Sequence, residues 1–175
     1  MRIYCSIIML QRILKMHTTN ASFVASSTQE QNKRVVRQFF EAFDRHDTER
    51  IGQLVSSTYY TFHFLGMPPM DWNGHKQFII AIINAFPDVH HEIIDMVAEG
   101  EDKVADRFNI TGTHKGEFQG IPPTGKKTSF GGMQFCTIIN GKITEIWANV
   151  DIMALMQQIG AIPAETPAGT STARS

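Results

Sequence analysis

The sequence GTHKGEFQGIPPTGKK (residues 112–127) lies between two stretches that alternate like β-strands. Its second half nearly matches the phosphate-binding loop GxxxxGK[ST], which cradles phosphates with backbone N–H groups. Pro122 and Pro123 have no N–H to donate, and Lys127 stands where that loop needs Ser or Thr. The loop must also open a helix, whereas residues 128–135 are typical of a strand. The stretch therefore predicts a rigid crossover between strands, or a lip over a pocket mouth, and not a nucleotide site.

The segments around this loop have the period of two that is typical of strands. Asn140 and Gly141 form the strongest hairpin signal, because both central residues of a type I′ turn need positive φ. Gly131 and Gly132 predict a bulge or a sharp bend within a long strand. Four strands are predicted here, over residues 89–98, 103–113, 126–139 and 142–149.

Helical periodicity dominates the chain before this meander. A strand rich in aromatic residues interrupts it at residues 59–64. Helices are predicted from Glu30 to about Arg45, from Asp47 or Thr48 to near Val55, over 75–86 with Asn73 as cap, and from the Asp151 cap to Gly160. Helices followed by a strand meander predict an α+β fold, with helices packed on one face of an antiparallel sheet. A strongly curved sheet over helices would leave a closed-ended hollow.

Composition is that of a soluble globular protein of 175 residues with one domain, 42% apolar and 19% charged. The net charge of −1 gives no indication of the basic surface that binds nucleic acid. Cys5 and Cys136 are far apart and have no metal-ligand spacing, which favours a reducing compartment without disulfides. The folded domain is predicted over residues 30–162, and residues 163–175 are predicted to be a disordered tail.

Residues 1–29 differ from the rest, because they contain basic residues but no acidic one. The segment is interpreted as an overlong start with Met9 or Met16 as initiator, as a mitochondrial transit peptide, or, with a poorer fit, as a secretory signal. The apolar run at residues 3–10 is too short to cross a membrane. A cytoplasmic protein is expected, or a mitochondrial one if the segment is a transit peptide.

Several short motifs occur in an order that resembles a known family. They are FPD at 86–88, AEG at 98–100, GTHKGEF at 112–118, GIPPTG at 120–125, and GKITEIW at 141–147. Between Gln31 and Ile162 the chain is similar to SnoaL-like polyketide cyclases, also called ester cyclases, of the nuclear-transport-factor-2-like (NTF2-like) superfamily. The resemblance implies a cone, in which a curved mixed or antiparallel sheet wraps around N-terminal helices and encloses a pocket. It also implies a homodimer or a tetramer formed through the sheet face.

The resemblance implies a hydrophobic, oxygenated small-molecule substrate and proton transfer without a metal or organic cofactor. In the family's cyclases an aspartate in the strand before the Asn-Gly turn is the general acid/base for aldol ring closure. The matching position here is Gln134, and the family's nearby arginine is Thr137. An amide cannot shuttle a proton, although it can hydrogen-bond a carbonyl or an enol. Gln134 is therefore a candidate catalytic residue with an altered role.

Alternation and a second resemblance indicate the pocket wall. The odd positions of strand 103–113 include Arg107 and Asn109, and those of the last strand include Trp147 and Asn149. Limonene-type epoxide hydrolases of the same fold carry carboxylates where this chain has Asn109 and Asn149, so water activation by their triad is not expected. These four residues are predicted to bind substrate. The alternative is a cross-strand pair of Arg107 and Glu145 on the outer face.

Histidines are the remaining candidates for proton transfer. His63 corresponds to a pocket histidine of the family and is predicted to be catalytic, with a satisfied core histidine as the alternative. His114 opens the Pro-Pro loop and either binds substrate or ties the loop backbone. His90 and His91 are neighbours on a strand, so they point to opposite faces. No histidine pair has the spacing of a metal site.

Three functions remain open at this point. One is a SnoaL-like cyclase or isomerase, and another is a non-catalytic small-molecule-binding protein, which amides in place of carboxylates favour. A third is an interaction module that mainly forms a dimer. Fold resemblance alone does not separate them.

Overall fold

The computed structural model describes residues 27–163 and has the α+β architecture expected from the sequence. Helix α1 covers residues 27–44 of the described part. The other elements are α2 (Thr48–Leu54), β1 (Thr61–Phe64), α3 (Trp72–Ala85), β2 (His90–Glu99), β3 (Lys103–Thr113), β4 (Lys127–Ile139), β5 (Lys142–Val150) and α4 (Ile152–Ile159).

The five strands form one curved mixed sheet in the order β1-β5-β4-β3-β2. Strand β1 runs parallel to β5, and the other neighbours are antiparallel. Register shifts occur at Ile93/Asp95 in β2 and at Thr137/Ile138 in β4. The bulge predicted at Gly131 and Gly132 is wrong, because the pairing of β4 with β3 runs through both residues without a shift.

The helix caps follow the predicted chemistry with one correction. The side chain of Asp47 accepts a hydrogen bond from Arg50 N, and that of Asp151 accepts one from Ala154 N, as the sequence predicted. Helix α3 begins earlier than expected, because Asp71 and not Asn73 is its cap and accepts a hydrogen bond from Gly74 N. The tight turn after β4 is confirmed, since φ is 52° at Asn140 and 71° at Gly141.

The core lies between α1, α3 and the concave face of the sheet. Helix α1 presents Val36, Phe39, Phe40 and Phe43 to this core, which is the apolar stripe predicted for it. On β3 the buried side chains belong to even-numbered residues, among them Val104 and Phe108. The odd-numbered residues from Lys103 to Asn109 face the convex, outer side, which reverses the orientation expected from the sequence.

Predictions for residues 1–26 and 164–175 lie outside the described residues. Residues 27–29, assigned to the N-terminal extension from sequence, already belong to α1. None of the helices in residues 27–163 is long and apolar enough to cross a membrane.

Candidate functional site

An aromatic cavity of about 110 Å³ lies between the helices and the concave face of the sheet. The sequence has 12 phenylalanines. Ten of them line the cavity, at positions Phe39, Phe40, Phe43, Phe62, Phe64, Phe78, Phe86, Phe108, Phe118 and Phe130. Flat rings on several sides favour a flat, apolar ligand, because aromatic faces and edges pack well against other rings.

The polar side chains in this wall are uncharged or are histidines. They are His75, His91, Thr111, Gln119, Thr128 and Gln134. Among the described residues that line the cavity there is no Lys, Arg, Asp or Glu. Because an ionic ligand would have no opposite charge at the wall, the cavity suits a neutral molecule with a few hydrogen-bonding atoms.

A buried carboxyl group lies behind one of these residues. Gln134 Nε2 donates a hydrogen bond to Asp106 Oδ2 at 3.1 Å, and the two residues are direct partners across β3 and β4. Asp106 is 5% exposed, and its Oδ1 has no hydrogen-bond partner among the described residues. Burial raises the pKa of Asp106 to about 7, although the Gln134 hydrogen bond and the charge of Arg37 act in the opposite direction.

His75 is a second polar residue of the cavity wall. Its Nδ1 is 2.6 Å from the hydroxyl of Tyr60, and its ring stacks on Phe62 at 3.7 Å between centroids. Burial lowers the pKa of His75 to about 3, so the imidazole is neutral at physiological pH. A neutral ring stacked among aromatic residues contributes to packing and provides a hydrogen-bonding edge.

His91 is a third polar residue of the cavity wall, and it binds a carboxylate. Its Nδ1 is 2.6 Å from Asp44 Oδ1, and its backbone N–H donates to both oxygens of the same carboxylate. Asp44 is the last residue of α1, and His91 is the second residue of β2. The pair therefore joins a helix to an edge strand at the cavity wall.

Four residues predicted to bind substrate lie on the outer face of the sheet and do not line the cavity. Arg107 forms an exposed ion pair with Asp95, at 2.5 Å, instead of the alternative pair with Glu145. Asn109 exchanges hydrogen bonds with Ser129. Trp147 and Asn149 are exposed. Their predicted placement in the pocket is wrong because the even-numbered residues of β3 and β5 face inward; a binding role for them stays a prediction.

His63 also lies away from the cavity. Its ring stacks on Trp147, with centroids 3.7 Å apart and 3° between the ring planes, and its Nε2 is 3.6 Å from Glu145 Oε1. The pairing of β1 with β5 brings His63 and Trp147 directly opposite each other on the outer face. A catalytic role for His63 stays a prediction that this position does not support.

His114 ties the Pro-Pro loop to its surroundings. Its Nδ1 is 3.1 Å from Thr124 Oγ1, and its ring stacks on Phe86. Its backbone N–H donates to Lys126, and its carbonyl accepts from Gly125. Burial lowers the pKa of His114, opposed by a hydrogen bond with the backbone of Gly116. His114 is fully buried and does not line the cavity, so the loop-tying alternative describes its contacts.

The same loop closes one end of the cavity through Phe118 and Gln119. The backbone N–H groups of Lys115 and Gly116 both donate to Ala85 O at the end of α3. A Cβ on Gly116 would lie 2.1 Å from Asn84 O, so only glycine allows this approach. The lip over a pocket mouth expected from the sequence is therefore present, held against α3.

Sequence reasoning did not name Asp106, and it named His91 only as the neighbour of His90, without a site role. The alternation of Val104, Phe108 and Ile110 on even positions is the signal that would have placed Asp106 on the inner face. The partner of His91 is 47 residues away in the chain, so no local spacing indicates it. Within residues 27–163, no group of three or more His, Cys, Asp or Glu side chains is arranged to hold a metal ion.

Solved structures with the same fold include several from bacteria. AclR from Streptomyces galilaeus, a candidate hydroxylase, is 26% identical with a TM-score of 0.73, over 79% of this chain and 87% of its own. IdmH from Streptomyces antibioticus, a candidate polyketide cyclase, is 28% identical with a TM-score of 0.66, over 74% and 98%. A candidate SnoaL-like polyketide cyclase from Jannaschia sp. CCS1 shares the fold at 21% identity, with a TM-score of 0.70 over 77% and 95%.

Among curated proteins, none matches this chain significantly. The family model described as SnoaL-like polyketide cyclase matches residues 33–159, which include every strand and the helices α2, α3 and α4. The NTF2-like cone expected from the sequence motifs is confirmed by this match and by the solved structures. The chain belongs to the SnoaL-like polyketide cyclase family.

Proposed function

We propose that the protein is a cofactor-free enzyme that moves a proton within a neutral, flat, hydrophobic carbonyl compound, and so cyclises or isomerises it. The observation that carries this proposal is the contact between Gln134, at the cavity wall, and the buried Asp106 behind it. A carboxyl group with a pKa of about 7 is partly ionised at neutral pH, and its ionised form strengthens the hydrogen bond that orients the Gln134 amide toward the cavity.

Gln134 is proposed to bind the carbonyl oxygen of the ligand. One hydrogen of its Nε2 is donated to Asp106, which fixes the orientation of the amide and leaves a second hydrogen for the ligand. A hydrogen bond to a carbonyl oxygen strengthens as negative charge develops on that oxygen, because the apolar wall excludes water. Asp106 is a positioning residue in this scheme and provides the ionisable group nearest to the amide.

A non-catalytic binding protein is the alternative function. The specific observation that favours it is the uncharged wall, since a ligand can be bound by ten phenylalanines and a few hydrogen bonds without any reaction. The resting volume of about 110 Å³ suits a small ligand. A larger polyketide would require the Pro-Pro loop, with Phe118, to move outward.

Turnover measured by mass spectrometry tests the proposal. The full chain would be incubated with 2-tetralone, polycyclic ketone esters and small epoxides, beside the variants Gln134→Leu and Gln77→Leu. Gln77 is a matched control, because it is an exposed glutamine of α3 that does not line the cavity. Conversion that is lost in Gln134→Leu and kept in Gln77→Leu is the expected result. Compounds that stay bound but unchanged would show a binding protein, and no binding at all would contradict both functions.

A homodimer formed through the outer face of the sheet is part of this proposal. Directly paired residues place Val97, Ala105, Phe135 and Trp147 in one row across four strands. Phe135 is 64% exposed and Trp147 is 52% exposed. A continuous exposed apolar row of this kind is typical of an interaction surface, and the family resemblance points to a second copy as the partner.

A further inference from the structure

The contact between His91 and Asp44 fixes which nitrogen of the imidazole carries hydrogen. Burial raises the pKa of Asp44, but hydrogen bonds from the His91 side chain and backbone N–H more than offset it, so the pKa lies below its ordinary value. Asp44 is therefore a carboxylate at neutral pH and can only accept hydrogen bonds. The 2.6 Å contact then requires a hydrogen on His91 Nδ1, so Nε2 has a free lone pair whenever the ring carries a single hydrogen.

The rest of the His91 ring lies within the aromatic wall. Its centroid is 5.0 Å from that of Phe40, 4.8 Å from Phe43 and 6.0 Å from Phe108. The side chain is 6% exposed, and His91 lines the cavity. Its Nε2 makes no hydrogen bond to another residue between 29 and 163. A basic nitrogen of fixed tautomer is thus available to a molecule in the cavity.

We propose that His91, positioned by Asp44, is a second functional group of the cavity and acts as the base that removes a proton from carbon. This inference rests on the proposed function, because it needs a carbonyl compound bound at Gln134. His91 pairs with Ile110 and Gln134 pairs with Asp106, four residues along the same strand β3. That offset is about 13 Å of backbone. Phe108 lies between them on β3, so the proposal requires both side chains to reach toward one carbonyl group that rests on its ring, Gln134 at the oxygen and His91 at the neighbouring carbon.

The proton-transfer step uses only His91, the Gln134 amide and the ligand. His91 Nε2 takes the proton from a carbon next to the carbonyl, and the C–H electron pair becomes the C=C bond of an enolate. The C=O π electrons move onto the oxygen, where the Gln134 amide donates a hydrogen bond. In ring closure the enolate carbon bonds to a second carbonyl carbon, and the new alkoxide takes the proton back from the imidazolium. In isomerisation the proton returns to another carbon.

The substrate class follows from the spacing of these groups. A bound molecule must turn the oxygen of a carbonyl group toward Gln134 on β4 and the C–H group next to that same carbonyl toward His91 on β2, with its rings on the surrounding aromatic side chains. Flat, neutral ketones with more than one ring meet this requirement, whereas charged or strongly polar compounds do not, because the wall offers no opposite charge.

His90 provides a matched control for His91. Its Nδ1 is 2.8 Å from Asp44 Oδ2, so it binds the same carboxylate. Its side chain is 65% exposed, and it does not line the cavity. A merely structural role for the contact with Asp44 would make both substitutions, His90→Gln and His91→Gln, act through stability alone. A role in proton transfer would separate them.

The test uses the full chain with ¹⁵N-labelled histidine and glutamine side chains and 2-tetralone as the probe. Binding is followed by the NMR signals of the His91 ring and of the Gln134 amide. Proton abstraction is followed in D₂O as the loss of the hydrogen signals next to the ketone carbonyl. We expect 2-tetralone to shift both sets of signals and the protein to speed the exchange by about 100-fold. His91→Gln should abolish this acceleration, and His90→Gln should keep it.

Asp44→Asn tests the positioning role, and it also covers the case in which His91→Gln fails to fold. We expect this variant to shift the His91 ring toward the tautomer with hydrogen on Nε2 and to slow the exchange while 2-tetralone still binds. The inference is overturned if 2-tetralone shifts Gln134 but not His91, or if bound 2-tetralone exchanges no faster than free. It is also overturned if exchange persists in His91→Gln. If 2-tetralone shifts neither residue, the proposed function fails first.

Discussion

Gln134 and Asp106 face each other directly across strands β4 and β3, and the amide donates to the carboxylate at 3.1 Å. The family resemblance places a catalytic aspartate at position 134, where this chain has an amide. The structure has a buried carboxyl group one strand away from that position. In this chain a carboxyl group therefore lies behind the residue that contacts the cavity.

The pKa of Asp106 predicts how stability depends on pH. In the folded protein the pKa is about 7, against an ordinary value of 3.8. Between these two values the folded chain holds a proton that the unfolded chain has released, so stability falls as the pH rises through this window and stays lower above it. Asp106→Asn should remove the fall and raise the free energy of unfolding at about pH 8 by on the order of 4 kcal/mol.

Urea unfolding at about pH 5 and about pH 8 checks this prediction. Asp95→Asn is the control, because it removes an exposed carboxylate of the outer face. That control should show a small effect, since exposed ion pairs contribute up to about 1 kcal/mol. A wild-type protein whose stability rises between the two pH values, with Asp106→Asn following the same course, would contradict a raised pKa.

Gly132 leaves room for the ring of Phe108, which lines the cavity. A Cβ there would lie 2.5 Å from Phe108 Cε2 and 2.9 Å from a methyl group of Val150. Gly132→Ala should therefore displace the Phe108 ring and destabilise the fold by about 1–3 kcal/mol. Gly131→Ala is a matched control, because the atom nearest to its Cβ would be 3.9 Å away. Equal stability of the two variants in urea would show that Phe108 moves aside without cost.

The fold could be predicted largely from local patterns. Strand β3 has the bounds predicted for it, and the hairpin at Asn140 and Gly141 is present. These features depend on alternation and turn chemistry, which are local properties of the chain. The predicted start of helix α3 was a few residues too late, because Asp71 and Asn73 are both good caps and the sequence does not rank them.

The site was harder to predict, because it depends on which face of each strand turns inward. A change of one residue in that choice exchanges the two faces, so Arg107 and Asn109 were placed in the pocket and Asp106 was not. The contact between Asp44 and His91 depends on how α1 packs against β2, which the motifs do not encode. Gln134 does line the cavity, as the family resemblance implied from its position relative to the hairpin, and its catalytic role stays a prediction.

Gly116 holds the Pro-Pro loop against α3, so a larger side chain should detach the loop. The Cβ of Gly116→Ala would meet Asn84 O at 2.1 Å, and a backbone atom cannot move aside without shifting the helix end. We expect faster amide hydrogen exchange at Lys115 and Gly116, which both donate to Ala85 O, and a more open cavity near Phe118. Glu117→Ala is the control, since it truncates an exposed side chain of the same loop and leaves Gly116 unchanged. Loop amides that exchange equally slowly in both variants would contradict this role.

The exposed row on the outer face predicts the assembly state. Phe135→Glu puts a charge at the centre of the row, between Ala105 and Trp147, and should convert a dimer to a monomer without unfolding it. Light scattering coupled to size-exclusion chromatography measures this change. Met153→Glu is the control, because Met153 is equally exposed but lies on α4. A wild-type monomer, or a dimer that both variants retain, would contradict assembly through this face.

Exchanging the side chains of Asp106 and Gln134 between β3 and β4 tests whether the position of the carboxyl group affects proton exchange. The double variant Asp106→Gln with Gln134→Asp keeps one amide and one carboxyl in contact, but brings the carboxyl to the cavity wall. We expect the double variant to fold, because its amide and its carboxyl group still hydrogen-bond each other. We also expect faster proton exchange of 2-tetralone, because the acid now touches the ligand. The single variant Gln134→Asp places two carboxyl groups side by side, so one of them should stay protonated at neutral pH and the stability should fall. The contrary result is a double variant that folds and binds 2-tetralone but exchanges its protons no faster than the wild type does. That result would show that contact between the acid and the ligand does not limit the exchange rate, and His91 alone would account for the chemistry.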